Sequence, residues 1–393
     1  MKRIISTILS LFVTFISFAQ INPQGLLERD PSVRYGKFEN GLTYYIKHND
    51  KPAQRADYYL FTNVGAIQET PAQNGLAHFL EHMALNGTKN LPGKMMINYF
   101  ESIGASFGAN INASTGVEQT MYMLNNIPTT REGIIDTALL IMHDYSAFVT
   151  NDPVEIDKER GVIIEEWRTR RTAEWRNTEK AWEHLYKGSK YATCNIIGTK
   201  ENLETFPASE LQDFYHTWYR PDLQAVVVVG DIDPEVIEAK LRELFKDIPA
   251  HENPKPKEEI LLPENEEPIV GIITDPETRV SQIQFAVKYP LLTPRMVRQF
   301  GAGFMNDLAV DLVNAVFSER FDDIRKKADA PFFAGGAAFT NLILTSDALM
   351  ASAAFRDGEA LTAFEATLTE IEKAKRFGFT ESELERAKTN MIA

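Results

Sequence analysis

The stretch LQAVVVVGDIDPEVIEAKLRELF, residues 223–245, limits the possible folds more than any other. Its valine run predicts a fully buried strand at the centre of a packed sheet. Asp233–Pro234 then predicts a helix start, with Asp as the cap and Pro at the first helical position. One strand–turn–helix unit of this kind would suit a parallel α/β fold, but the chain before it lacks that rhythm. LTYYIKHN (42–49) and RADYYLFTNVG (55–65) are successive strands, rich in aromatic and β-branched residues. NGLAHFLEHMALNG (74–87) and KMMINYFESIG are helices; Asn74 is a candidate cap for the first and Asn86–Gly87 its stop. ASFGANINAS and EQTMYMLNNI follow as strands. Helices are then predicted over 129–148, over 152–171 (opened by Asp152–Pro153), over 173–187 and within ASELQDFYHTWY. Groups of strands followed by groups of helices indicate an α+β domain, here over residues 20–250.

PAHENPKPKEEILLPENEEP is rich in Pro, Glu and Lys, and a linker is expected over 251–268. Beyond it, a second domain (269–393) repeats the order of the first. Strands are expected near 269–275 and 280–288, a long helical stretch over about 296–327, and a strand around 343–355. Two helices flank Gly378, the last opened by a Thr380/Glu383 capping box. The fold expected is therefore two similar α+β domains, each a mainly antiparallel sheet with helices packed on it. No helix stop signal precedes Ala393, so the second domain is expected to be incomplete at its C-terminus.

Cys194 is the only cysteine, so packing rather than an internal disulfide must hold the chain together. A net charge of -14 argues against a nucleic-acid binder, which needs a basic stripe to neutralise phosphates. The first residues, MKRIISTILSLFVTFISFAQ, have a basic start, a short apolar run and small residues at Ser17 and Ala19. That is the plan of a secretory signal peptide over 1–19, and it predicts an exported protein, periplasmic or secreted. No membrane span is expected after its removal.

On a helix at about 100° per residue, Leu76, Phe79, Leu80 and Met83 share one face, and His78, Glu81 and His82 share the opposite one. Imidazoles four residues apart can direct their nitrogens to one point about 2 Å from each, as Zn²⁺ requires. Glu81 is rotated off the ligand direction, toward where a water would lie. The order His-x-x-Glu-His is an inverted zinc-peptidase signature. A catalytic zinc needs a third protein ligand and an open position. The helix DKERGVIIEEWR offers Glu159, Glu165 and Glu166. Glu159 and Glu166 lie two turns apart on one face, with Glu165 about 100° away. Glu166 is the expected ligand, Glu159 an auxiliary carboxylate that orients a ligand, and Glu165 the fallback.

With these residues, the chain resembles the pitrilysin/insulinase family of zinc peptidases, particularly its large exported bacterial members. The likeness rests on GLAHFLEHMALNGTKNLPG, IGASFGANINASTGVEQTMYML, EIDKERGVIIEEWRTR, FPASELQDFYHTWYRPDLQAVVVVGDID and DAPFFAGGAAF. The resemblance implies His78, His82 and Glu166 as zinc ligands, Glu81 as general base and Glu159 as the helper carboxylate of the downstream helix. It also implies that a peptide substrate pairs with the INAS strand, at Asn112 and Ala113. Members of this family close two such halves around the substrate, and only the first half is present here. The function expected is that of a zinc-dependent endopeptidase acting on peptides or unfolded segments. The alternative is a non-catalytic peptide-binding or scaffold half that needs a second half or a homologous partner chain.

Overall fold

In the computed structural model, which describes residues 22–392, the valine run occupies an interior position in a six-stranded sheet. The strands are β1 (Val33–Lys37), β2 (Thr43–His48), β3 (Arg55–Thr62), β4 (Ile111–Thr115), β5 (Thr120–Pro128) and β6 (Gln224–Gly230). Their order is β1-β2-β6-β3-β5-β4. Val227 pairs with Tyr45 of β2 in a parallel ladder and with Tyr59 of β3 in an antiparallel one. All other pairs in the sheet are antiparallel. Full burial of β6 was expected, but its residues alternate between buried and half-buried. Only the face toward the helices is sealed, by the period-2 geometry of any strand. The expected signal peptide at 1–19 lies outside the described residues.

The helices of this first unit, Arg29–Glu259, are α1 (Leu76–Asn86), α2 (Met95–Ser102), α3 (Ile134–Ala147), α4 (Pro153–Arg170), α5 (Ala173–Leu185), α6 (Lys200–Thr205), α7 (Ala208–Trp218) and α8 (Pro234–Leu244). The inward residues Tyr44, Ile46, Tyr58, Leu60, Tyr122, Leu124, Val226 and Val228 form one core with Phe79, Leu80, Leu139, Phe214 and Leu241. Both Asp-Pro starts form as expected. Asp152 accepts from Val154 N (2.8 Å), and Asp233 from Glu235 N (2.8 Å).

The second unit takes in the residues from Ile260 onward with those described ahead of Arg29. Leu27 N donates to Gln299 O (2.8 Å) and Gly301 N to Gly25 O (3.0 Å). Residues 251–280 carry neither helix nor strand, and the division between the units falls among them. Lys257 Nζ donates to Asn63 O (2.7 Å) in the first unit, whereas Ile260 O accepts from Thr345 (2.8 Å) in the second.

The second sheet contains β7 (Ser281–Pro290), β8 (Ala334–Ile343) and β9 (Ser346–Phe355) in the antiparallel order β7-β9-β8. That is the order of β3-β5-β4, so the two domains are similar, each with helices packed on a mainly antiparallel sheet. One expectation fails here, and one strand was not foreseen. Residues 269–275 form no strand, and Val270 and Ile272 are 78% and 90% exposed. Without a neighbouring strand to pair with, β propensity alone does not hold an apolar segment extended. The third strand is instead AGGAAFTNLI, whose Gly and Ala content conceals it. Pairing with β9 and the side chain of Asn314, bonded to both Phe339 N (2.8 Å) and Phe339 O (2.9 Å), hold it. Helices α9 (Gly301–Arg325), α10 (Ala360–Phe377) and α11 (Glu381–Ile392) complete the unit. The Thr380/Glu383 box forms, with Thr380 N donating to Glu383 (2.7 Å).

Candidate metal centre

Gly75 precedes α1 at φ 92°, where an added Cβ would lie 2.7 Å from Ile197 O. Only glycine fits, so residue 75 offers no capping side chain. Asn74 does not cap the helix as expected; its Oδ1 accepts from Thr199 N (3.1 Å). The cap comes from a distance instead. Glu69, 3% exposed, accepts from Gly75 N (2.9 Å) and Ala77 N (2.8 Å). The other end stops at Gly87 (φ 144°), as the Asn86–Gly87 pair predicts.

Both faces of α1 are covered. Leu76, Phe79, Leu80 and Met83 enter the core, and His78 and Glu81 on the opposite side are 5% and 8% exposed. Helix α4 packs against α1 and brings the carboxylates to the imidazoles. Glu166 reaches both rings, with Oε1 3.6 Å from His78 Nε2 and Oε2 3.3 Å from His82 Nε2. Glu159 Oε1 lies 2.9 Å from His82 Nδ1, and its Oε2 accepts from Asn86 Nδ2 (2.6 Å). Glu165 turns away to Arg168 (2.5 Å) at 59% exposure and takes no part.

One donor atom from each of His78, His82 and Glu166 lies within 4.8 Å of the others. Tetrahedral zinc with bonds of about 2.0–2.1 Å separates its donors by roughly 3.3–3.4 Å. The observed 3.3 and 3.6 Å are close to that. Two imidazoles and one carboxylate are also a donor set zinc accepts, so the residues fit the ion.

The electrostatics favour a positive charge at this point. Burial disfavours the His82 cation, yet hydrogen bonds to Glu159 and Glu166 outweigh it and raise its pKa to about 9. Burial, then the neighbouring His82, push His78 down to about 4. Its Nδ1 is buried and has no hydrogen-bond partner. The hydrogen bond from His82 holds Glu166 down to about 2 and also lowers Glu159. Burial raises Glu81, opposed by the hydrogen bond from Thr115 Oγ1 to its Oε2.

Asn112 and Ala113 lie on β4, the edge strand of the first sheet, which ends at Thr115. Asn112 Oδ1 accepts from Ala113 N (2.9 Å). Sequence reasoning missed four residues around the centre: Thr115 on Glu81, Asn86 on Glu159, Arg170 paired with Glu166, and Glu69. Thr115 directly follows the INAS segment and Asn86 is part of the helix stop, so each lay beside a recognised signal. Nothing local marks Glu69.

Residues 44–193 match the family model for insulinase (peptidase family M16), and 205–391 match that for the peptidase M16 inactive domain. The Probable zinc protease PqqL of Escherichia coli is 29% identical over 369 residues, covering 93% of this chain and 39% of that protein. The Zinc protease PQQL-like of Arabidopsis thaliana is 30% identical over 310 residues, 79% of this chain and 32% of that protein. The chain thus spans well under half the length of these curated relatives. The crystal structure of the first half of the periplasmic protease PqqL from E. coli superposes with a TM-score of 0.79 at 27% identity, covering 94% of this chain and 78% of that one. Among the described residues no helix is long and apolar enough to cross a membrane. With both matched segments drawn from one family and the fold shared with a solved half, the chain belongs to peptidase family M16, the insulinase family.

Proposed function

We propose that this chain is the zinc-binding half of an exported endopeptidase that hydrolyses peptides or unfolded segments. The observation that carries the reading is the convergence of His78, His82 and Glu166 at separations that suit one tetrahedral ion. A zinc ion held by these three would polarise the scissile carbonyl and acidify a water. Glu81 would take a proton from the attacking water and pass it to the leaving amine. Its burial, which raises its pKa, suits a base working near neutral pH. Thr115 fixes the Glu81 carboxylate, and Glu159 holds the His82 ring through Nδ1 so that Nε2 stays directed at Glu166. An extended peptide adds to the free edge of β4 at Asn112 and Ala113, its carbonyl replacing Asn112 Oδ1 on the Ala113 N–H.

A second half, in the same or another chain, completes the enclosure of substrate. Because the chain spans 39% of its E. coli relative, a second reading is a peptide-binding half with no activity alone. Export to the periplasm or beyond rests on the leader at 1–19 and on the periplasmic relative.

Zinc analysis of the purified chain, with peptide cleavage by wild type and Glu81→Gln, tests this. The expected result is about one zinc per chain in both proteins, with cleavage about 10²–10⁴-fold slower in the variant. Less than about half a zinc per wild-type chain refutes the metal centre. Equal silence of both proteins with zinc retained selects the non-catalytic reading.

A further inference from the structure

Resting on that reading of the metal centre, we propose that Glu69 is a positioning residue: through the first turn of α1 it sets where His78 and Glu81 stand relative to Thr115. Residues 65–74, between β3 and α1, are pinned on three sides. Ala66 N donates to Gly116 O (3.2 Å) and Ile67 N to Val117 O (2.9 Å), on the turn that directly follows Thr115. A Cβ at Gly65 would lie 2.4 Å from Gly116 O, so the approach is too close for any side chain. Gln68 Oε1 accepts from Gly65 N (2.8 Å) and Gln73 Oε1 from Thr70 N (3.2 Å), closing two consecutive 3₁₀ turns. Gln73 Nε2 also donates to Asp213 Oδ2 (3.1 Å) on α7. Gln68, Glu69 and Gln73 are all buried.

The segment is therefore a short rigid strut fixed to the end of β4, and Glu69 is its attachment to α1. The Glu69 carboxylate bonds the amides of Gly75 and Ala77, and the latter directly precedes His78. No ion pair to Glu69 is present among the described residues; burial pushes its carboxyl pKa well up, opposed by the bonds from Ala77 N and Gly75 N and by the charge of Lys190. A serine or aspartate at residue 75 could cap a helix at far lower desolvation cost, but the cramped backbone there excludes it. The external carboxylate does something a local cap cannot. It ties the axial position and rotation of α1 to the same turn that carries Thr115. Glu81 and Thr115 form their hydrogen bond across that junction.

The experiment compares wild type, Glu69→Gln and Asp213→Ala by zinc competition against a chelating dye and by the visible spectrum of the Co²⁺-loaded chain. In Glu69→Gln one acceptor becomes an amide donor facing a backbone N–H. The expected result is zinc binding about tenfold weaker, with altered Co²⁺ bands. Asp213→Ala, which takes away the α7 acceptor of Gln73 Nε2 but leaves both 3₁₀ turns and the Glu69 bonds in place, leaves both readouts unchanged. Wild-type affinity and spectrum in Glu69→Gln, with only the melting temperature lowered, would overturn the proposal and leave Glu69 a structural cap. Should Glu69→Gln fail to fold, amide exchange on the wild type decides: zinc slows exchange at Gly75 and Ala77, and unchanged rates refute the link. A wild type that takes up no zinc removes the metal reading itself, which is a separate result from an indifferent Glu69→Gln.

Discussion

Asp144 on α3 is fully buried and serves as the hub that fixes the chain leaving α1. Its Oδ2 accepts from Thr88 Oγ1 (2.6 Å) and Asn90 N (3.0 Å), and its Oδ1 from Asn90 Nδ2 (2.8 Å). His143 Nδ1 lies 3.0 Å from the same Oδ1, and His143 Nε2 lies 2.8 Å from Asp247. Asp144→Ala strands these buried donors without acceptors. Breaking a buried, paired charge costs about 3–5 kcal/mol, and each lost charge-assisted bond about 1.5–3 kcal/mol before relaxation. The first unit should lose roughly 3–5 kcal/mol, or about 6–20 °C in melting temperature at 2–4 °C per kcal/mol for a domain of its size.

The pH dependence gives a sharper test. Burial disfavours the Asp144 carboxylate, but hydrogen bonds from His143, Thr88 and Asn90 prevail and lower its pKa. Its contribution is present above the unfolded value of about 3.9 and is lost as pH falls through the folded one. Burial likewise disfavours the His143 cation, but Asp144 and Asp247 raise its pKa. That contribution is complete below about 6.5 and is lost as pH rises through the folded value. The stability gap between wild type and Asp144→Asn should therefore be widest between about pH 4 and 6.5. Urea unfolding of both proteins across pH 3–9 measures it. A gap that does not change with pH, or an Asp144→Ala loss under about 1 kcal/mol, would refute the reasoning.

Glu159→Ala removes the partner of His82 Nδ1 and should weaken zinc binding 10–100-fold in a chelator competition, whereas Glu165→Ala, which loses only a surface pair with Arg168, should bind as wild type does. Gly75→Ala would place a methyl 2.7 Å from Ile197 O at φ 92°, and a thermal melt should show a loss of at least about 1–3 kcal/mol. Arg320 donates to Glu383 (2.6 Å), Glu370 (3.1 Å) and Gly378 O (3.1 Å), so Arg320→Met should destabilise the second unit by about 3 kcal/mol at neutral pH. Because the Arg320 hydrogen bond holds Glu383 down to about 2, that loss should shrink as pH falls from about 4 toward 2, which chemical unfolding at pH 7 and pH 3 can compare.

Periodicity and punctuation disclosed the local elements well. The Asp-Pro starts of α4 and α8 and the Gly87 stop of α1 depend on bonds within a few residues, and each formed where the sequence marks it. The spacing of His78, Glu81 and His82, and the two-turn separation of Glu159 from Glu166, were readable because a helix fixes directions by residue number alone. What failed depends on neighbours remote in sequence. PIVGIITD is a good strand by composition but has no strand to pair with, whereas AGGAAFTNLI is a poor one rescued by β9. The caps divide in the same way. Asn74 was the local candidate, and Glu69 prevailed because packing against Ile197 and Gly198 left residue 75 no room for a side chain.

The place of β6 in the first sheet has a consequence for how the molecule is made. Neighbours in sequence, β2 and β3 never touch in the ladder; the strand that separates them is synthesised about 160 residues later. The helix bearing both imidazoles and the carboxylate at 166 have therefore left the ribosome before the layer beneath them can close. If His78, His82 and Glu166 hold a metal ion, tight capture would await the valine strand.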